Sequence, residues 1–145
     1  MEQPLTILLV EDDFGHARLI EKNLRRAGIA NDIIKIHDGY DAHDFLLGEG
    51  KYEGNSLPRV LLVLLDLNLP GMNGTVILSK MKNSTRTKDI PVVILTTTAE
   101  NREIAKCYEL GCNMYITKPV DYNKFSEVIH KLGMFLQVIK VPDGV

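Results

Sequence analysis

Only two cysteines occur in 145 residues, Cys107 and Cys112. That is too few for a disulfide scaffold, and the pair lacks metal-ligand spacing. Both fall at the end of a predicted helix and are expected to be reduced packing residues. Long apolar runs are also missing: the longest, Val60 to Leu65, is far too short to cross a bilayer. The start, Met1-Glu2-Gln3-Pro4, has no basic region followed by an apolar stretch, so no secretory leader is expected. Charge is nearly balanced, with 17 basic against 19 acidic residues and a net charge of -2. That removes the global basic field that would favour nucleic acid or anionic lipid. There is no GxxxxGK[ST] or GxGxxG loop, which argues against stable nucleotide binding. No Ser-His-Asp or Cys-His arrangement, internal repeat or low-complexity segment is visible. His16, His37, His43 and His130 share no ligand spacing and read as ordinary surface or rim residues. These absences leave a soluble, cytoplasmic, single-domain chain as the expectation.

What is present is ordinary globular material: 45% hydrophobic and 25% charged residues, enough to bury a core without staples. Apolar runs alternate in type. Strands are predicted at the 5–10, 32–36, 60–65, 91–95 and 114–117 segments. Helices are predicted at 14–27, 40–47, 76–81, 101–110 and 125–136, with Gly28 and Gly111 as stops. In the fourth helix Ile104, Cys107 and Tyr108 are expected on the buried side. Residues 48–59, with three glycines, Asn55 and Pro58, read as a loop. Val60 to Leu65 shows no alternation, as in a strand buried on both faces. Strict alternation of such strands with helices predicts an α/β fold with a doubly wound parallel sheet. The segment after Leu136 carries Val138, Ile139 and Val141, more apolar than a free tail should be. It is expected to be a dimer arm, since exposed apolar segments mark interaction surfaces.

Ligands of such sheets bind beyond the carboxyl ends of the strands. Polar residues stand at four of these ends: Glu11, Asp12 and Asp13; Asp66 and Asn68; Thr96, Thr97 and Thr98; and Lys118. In strand order 2-1-3-4-5, Glu11, Asp12 and Asp66 converge, flanked by Thr96 and Lys118. Two like charges about 4 Å apart cost about 4 kcal/mol at an effective dielectric near 20, so the cluster calls for a cation. All-oxygen ligation with few protein groups suits Mg²⁺. A lysine and a hydroxyl beside it suit phosphate oxygens. Each residue also has a plainer use: Asp12 or Asp13 as a helix cap, Asp66 as a turn former, Thr96 as a strand-end hydroxyl, Tyr115 as a core aromatic. All of these would have to coincide at one end of one sheet.

Four segments carry a family resemblance. Ile7-Leu8-Leu9-Val10-Glu11-Asp12-Asp13 resembles the opening of a response-regulator receiver domain. Leu65-Asp66-Leu67-Asn68-Leu69-Pro70-Gly71-Met72-Asn73-Gly74 resembles that family's phosphoacceptor segment. Pro91-Val92-Val93-Ile94-Leu95-Thr96 and Tyr115-Ile116-Thr117-Lys118-Pro119 resemble its switch threonine and its lysine-proline turn. The resemblance covers roughly residues 5 to 136 and implies a flavodoxin-like fold, with a receiver domain over 1–136 and the tail over 137–145.

The resemblance further implies that Asp66 accepts a phosphoryl group from a phosphohistidine on a histidine kinase. It implies that Asp12 binds Mg²⁺ directly, that Glu11 does so mainly through water, and that the main-chain carbonyl of Asn68 completes the protein's share. Lys118 would pair with Asp66, then with a phosphoryl oxygen, across a cis Lys118–Pro119 bond. Thr96 would swing toward the phosphoryl group and Tyr115 would follow inward. Asn68 and Thr98 occupy the positions that tune phosphoryl lifetime in the family; neither is a strong acid or base, so hydrolysis is expected to be slow. The long 48–59 loop, Leu95-Thr96-Thr97 and the apolar tail resemble a stand-alone subgroup paired with bacterial phytochrome kinases, whose C-terminal segments build homodimers. With no room for a DNA-binding helix pair after Leu136, the expected output is a protein partner or onward relay. The alternative is a hydrolase of the haloacid-dehalogenase type, which also uses an aspartate nucleophile. That class carries a second aspartate two residues on, where Asn68 stands here.

Overall fold

A computed structural model describes residues 5–137, the side chain of Leu61 excepted. Strands β1 (Thr6–Val10), β2 (Asp32–Ile36), β3 (Val60–Leu65), β4 (Val92–Thr96) and β5 (Met114–Thr117) alternate with five helices. These are α1 (Phe14–Arg26), α2 (Gly39–Leu47), α3 (Gly74–Lys82), α4 (Asn101–Leu110) and α5 (Tyr122–Leu136). The strands form one parallel sheet in the order β2-β1-β3-β4-β5, the doubly wound, flavodoxin-like arrangement that the sequence predicts. The predicted loop at 48–59 contains one short 3-10 turn, Gly50–Tyr52.

Helices α2, α3 and α5 begin one, two and three residues before their predicted starts. Asp38, Asn73 and Asp121 cap them, accepting bonds from the N–H groups of Asp41, of Thr75, and of Asn123 and Lys124. A cap satisfies amides that a first helical turn leaves without intrahelical partners, so the polar first turn is helical too.

The continuous apolar strands are buried on both faces, and alternation divides their side chains between two cores. Leu8, Val10, Val63, Leu65, Val92 and Ile94 pack with α2, α3 and Cys107 of α4. Ile7, Leu9, Leu62, Leu64, Val93 and Leu95 pack with α1 and α5. Side chains of a strand alternate between faces, so an unbroken apolar run serves both cores at once. The second core needs α1 and α5 close together: a Cβ at Gly133 would stand 2.6 Å from that of Ala27.

Cys107 and Cys112 are buried free thiols, as expected. Tyr108 differs from expectation: it is exposed, while Cys107 alone of α4 is buried. The outermost strand explains the tyrosine's use, since its hydroxyl accepts the N–H of Tyr115 at 3.0 Å. Among the described residues no helix is long and apolar enough to cross a membrane. The tail expected to form a dimer arm lies, beyond Gln137, outside the described residues.

Candidate functional site

Sheet register decides which polar residues meet. Val10 is level with both Leu65 and Ile36, so Glu11 and Asp66 leave the sheet side by side. The ladder continues one step into the loops. Asp66 donates its N–H to Val10 O at 3.0 Å, Glu11 to Ile36 O at 3.0 Å, and Lys118 to Thr96 O at 2.7 Å. These bonds fix three functional backbones on the rigid end of the sheet. Behind Asp66 the chain turns tightly into α3. A Cβ at Gly74 would fall 2.4 Å from the Asp66 carbonyl oxygen, so only glycine lets the helix start there.

The side chains converge. Lys118 Nζ donates to Asp66 Oδ2 at 2.9 Å and also to Glu11 Oε1. All three residues are buried, at 6%, 5% and 2% exposure, although each is of a type that rarely is. Asp12 lies partly exposed beside them. Glu11, Asp12 and Asp66 each offer a carboxylate oxygen within 4.8 Å of the others. Family resemblance pairs Lys118 with Asp66; its bond to Glu11 comes from the fold.

Electrostatics follow from this crowding. Burial pushes the Glu11 carboxyl up to about 7, while Lys118 pulls it back and Asp66 adds to the rise. Burial opposes the charge on Lys118, yet its hydrogen bonds to Glu11 and Asp66 hold its pKa above the usual lysine value. Three carboxylates against one ammonium leave negative charge uncompensated. That deficit, with all-oxygen donors, fits a hard divalent cation.

Thr96 is fully buried at the end of β4, its hydroxyl accepting Asn68 Nδ2 at 3.3 Å. The same amide reaches Thr98 Oγ1 at 3.4 Å, and the Asn68 N–H donates to Asp66 Oδ1 at 3.1 Å. Asn68 thus ties the Asp66 carboxylate to the two threonines. Tyr115 is half-buried, its hydroxyl donating to Thr98 O at 2.7 Å, and burial raises the phenol to about 12. Asp13 caps α1, accepting the His16 N–H at 3.0 Å, as its type suggested.

Two expectations need correction. No peptide bond among the described residues is cis, so Lys118–Pro119 is trans. The trans form is the lower in energy, and the flexible lysine stem reaches Asp66 without the turn's help. Nor are all the histidines ordinary rim residues. His43 is buried, with Nδ1 2.9 Å from Asp44 Oδ1. His16 Nδ1 lies 3.2 Å from Lys118 Nζ, and His37 Nδ1 lies 2.8 Å from Glu11 O, its ring tilted by 31° against Phe14 with centroids 4.0 Å apart. Ligand spacing along the chain carries no sign of the His16 and His37 contacts, because those partners are supplied by the fold, whereas the partner of His43 is its chain neighbour. The one available signal was adjacency: His37 directly follows β2, and His16 sits in the first turn of α1.

Comparison with known proteins gives the same picture. Residues 7–130 match the family described as response regulator receiver domain. Response regulator Rcp1 of Synechocystis sp. is 36% identical over 140 residues, covering 96% of this chain and 94% of that protein. Its Mn(2+)-bound form superposes with a TM-score of 0.88 over 96% of this chain and 99% of that one. A receiver domain from Rhodospirillum rubrum is 54% identical, with a TM-score of 0.89 over 96% of this chain and 98% of its own. The phosphorylated cyanobacterial phytochrome response regulator RcpA is 33% identical, with a TM-score of 0.85 over 95% and 97%. The haloacid-dehalogenase alternative is set aside by these matches. The chain belongs to the response regulator receiver domain family and is a phosphoacceptor signalling switch.

Proposed function

We propose that Asp66 is the phosphoacceptor, taking a phosphoryl group from a phosphohistidine of a histidine kinase. One observation carries this reading: the buried Asp66 carboxylate is bonded to Lys118 at 2.9 Å and lies within 4.8 Å of ligand oxygens of Glu11 and Asp12. Glu11, Asp12, Asp66 and the main-chain carbonyl of Asn68 would hold Mg²⁺, which would supply neutralisation of charge on the transferring group. Lys118 holds the Asp66 carboxylate in place beforehand and offers its charge to a phosphoryl oxygen afterwards. Thr96 donates its hydroxyl to the same group by leaving Asn68. Tyr115 then exchanges its bond to Thr98 for a more buried position, and the face of α4 and β5 carries the change to a partner.

Asn68 and Thr98 supply no strong acid or base, so autodephosphorylation is slow. A phytochrome kinase is the proposed phosphodonor, supported by the likeness to RcpA. The protein is cytoplasmic and homodimeric, makes no direct DNA contact, and signals through a protein or by relay. The receiver spans 1–136 and the tail 137–145 is the dimer arm; deletion after Leu136 is expected to shift sedimentation toward monomer, and an unchanged distribution refutes the arm.

Incubation with Mg²⁺ and a small phosphodonor tests the central claim. A stable phosphoryl mass gain that disappears in Asp66→Asn is the expected result. Steady release of phosphate at enzyme rates, or the same gain in Asp66→Asn, overturns it.

A further inference from the structure

We propose that His16 is a positioning residue that anchors the Lys118 ammonium at the mouth of the site, an inference resting on Asp66 as the phosphoacceptor. A lysine ammonium has three N–H donors and no acceptor. The structure places three acceptors around Lys118 Nζ: Glu11 Oε1, Asp66 Oδ2 at 2.9 Å and His16 Nδ1 at 3.2 Å. Asp13 Oδ2 lies 3.8 Å from His16 Nδ1, outside hydrogen-bond distance, and an ammonium can only donate, so Nδ1 is assigned the lone pair and Nε2 the proton. His16 is therefore the one nitrogen acceptor of the three.

The imidazole is held independently of the lysine. Its own backbone N–H is bound by the cap residue Asp13 at 3.0 Å. Its ring meets Phe125 of α5 edge-on, with centroids 5.6 Å apart and planes at 75°. The acceptor is thus set by α1 and α5, elements outside the carboxylate cluster. That difference gives it a role. Glu11 and Asp66 are the groups whose oxygens serve an ion and the phosphoryl group. When they do so, Nζ loses acceptors on that side and keeps one on the other. His16 then holds the ammonium over the reacting oxygen, where a free four-carbon stem would sample solvent.

Phosphoramidate is the probe. An Asp66 carboxylate oxygen forms a bond to phosphorus as the P–N bond breaks. The electron pair of that bond leaves with the nitrogen, which already carries its protons and departs as ammonia. Lys118 meets the phosphoryl oxygens throughout and transfers no proton.

The test measures the rate of phosphoryl mass gain at saturating Mg²⁺ for the wild-type chain, His16→Phe, His16→Asn and Asp66→Asn, with thermal melts of each. Phenylalanine keeps the ring against Phe125 and removes the acceptor. Asparagine removes the ring and puts an amide oxygen where Nδ1 stood. The expected result is a roughly tenfold slower H16F, the size of one hydrogen bond to a charged group, with H16N restored to within about threefold of wild type. Wild-type rate in H16F overturns the proposal, as does an H16N as slow as H16F or slower, which assigns the ring a packing role only. A wild-type chain that gains no phosphoryl mass, or an Asp66→Asn that still does, instead refutes Asp66 as the phosphoacceptor.

Discussion

Lys118 and Asp66 stand 52 residues apart in the chain and 2.9 Å apart in the fold, both buried, with Glu11 completing the group. A lysine is desolvated here because two carboxylates receive it, and the carboxylates tolerate each other because it stands between them. Removing Lys118 leaves two buried carboxylates without compensation, which is costlier than the group's net contribution to stability.

Lys118→Met separates two consequences of that arrangement. Without the ammonium, Glu11 and Asp66 repel, and urea denaturation in metal-free buffer at neutral pH is expected to show a loss of about 3 kcal/mol. The same variant frees both carboxylates for a cation. Titration calorimetry is expected to show tighter Mg²⁺ binding than in the wild type, with phosphoryl uptake lost. Weaker Mg²⁺ binding would mean that Lys118 orients the carboxylates and does not compete for them.

Asn68 bonds to both threonines and its backbone to Asp66, so its side chain sets the resting position of the Thr96 hydroxyl. Asn68→Ala frees that hydroxyl. Phosphoryl uptake is expected to persist, because the carboxylate and lysine are untouched, while the acyl phosphate of the wild type outlasts a manual-mixing assay. A lifetime under about a few seconds, set against chemistry that needs a positioned acid or base, contradicts the role given to Asn68 and Thr98.

Close helix contact at Gly133 predicts a stability effect far from the site. A Cβ there meets that of Ala27 at 2.6 Å, and neither atom can rotate away. Gly133→Val is expected to destabilise by about 1–3 kcal/mol, the range for overpacking, as α5 is pushed off α1. Thermal unfolding of the two chains measures it; equal melting temperatures would show that the helices separate at little cost.

Burial pushes the Cys107 thiol up to about 11, with the neighbouring Cys112 and Glu103 adding to the rise. The folded state thus holds its proton more tightly than the unfolded chain, where the value is near 9.0. Below pH 9 both states are protonated and the stabilisation is complete; it is lost as pH climbs from about 9 toward 11. Native Cys107 is expected to resist iodoacetamide at pH 8 and to react once urea unfolds the chain. Cys107→Val is expected to flatten the alkaline fall in stability.

Much of this protein was legible along the chain. The unbroken apolar runs of β1, β3 and β4 demand burial on both faces, and the spacing of all five strand segments by helical ones leaves few topologies but a doubly wound sheet. Because ligands of such sheets collect beyond the strand ends, Glu11, Asp12, Asp66, Thr96 and Lys118 could be singled out by position and type. Periodicity places three helix starts late, at residues 40, 76 and 125, because it registers apolar faces while capping depends on one polar side chain bending back to an amide.

Contacts between side chains from different elements were decided by the tertiary structure alone. The pairing of Lys118 with Glu11, His16 beside the same ammonium and His37 on the Glu11 carbonyl depend on register and helix placement to within about an ångström. Tyr108 shows the same limit, turned outward to receive an edge-strand amide. Sequence pattern specifies which residues lie on a common face, since strand and helix periods are properties of the local backbone. Hydrogen bonds form over a few tenths of an ångström, and only the packed assembly of all elements sets distances that finely.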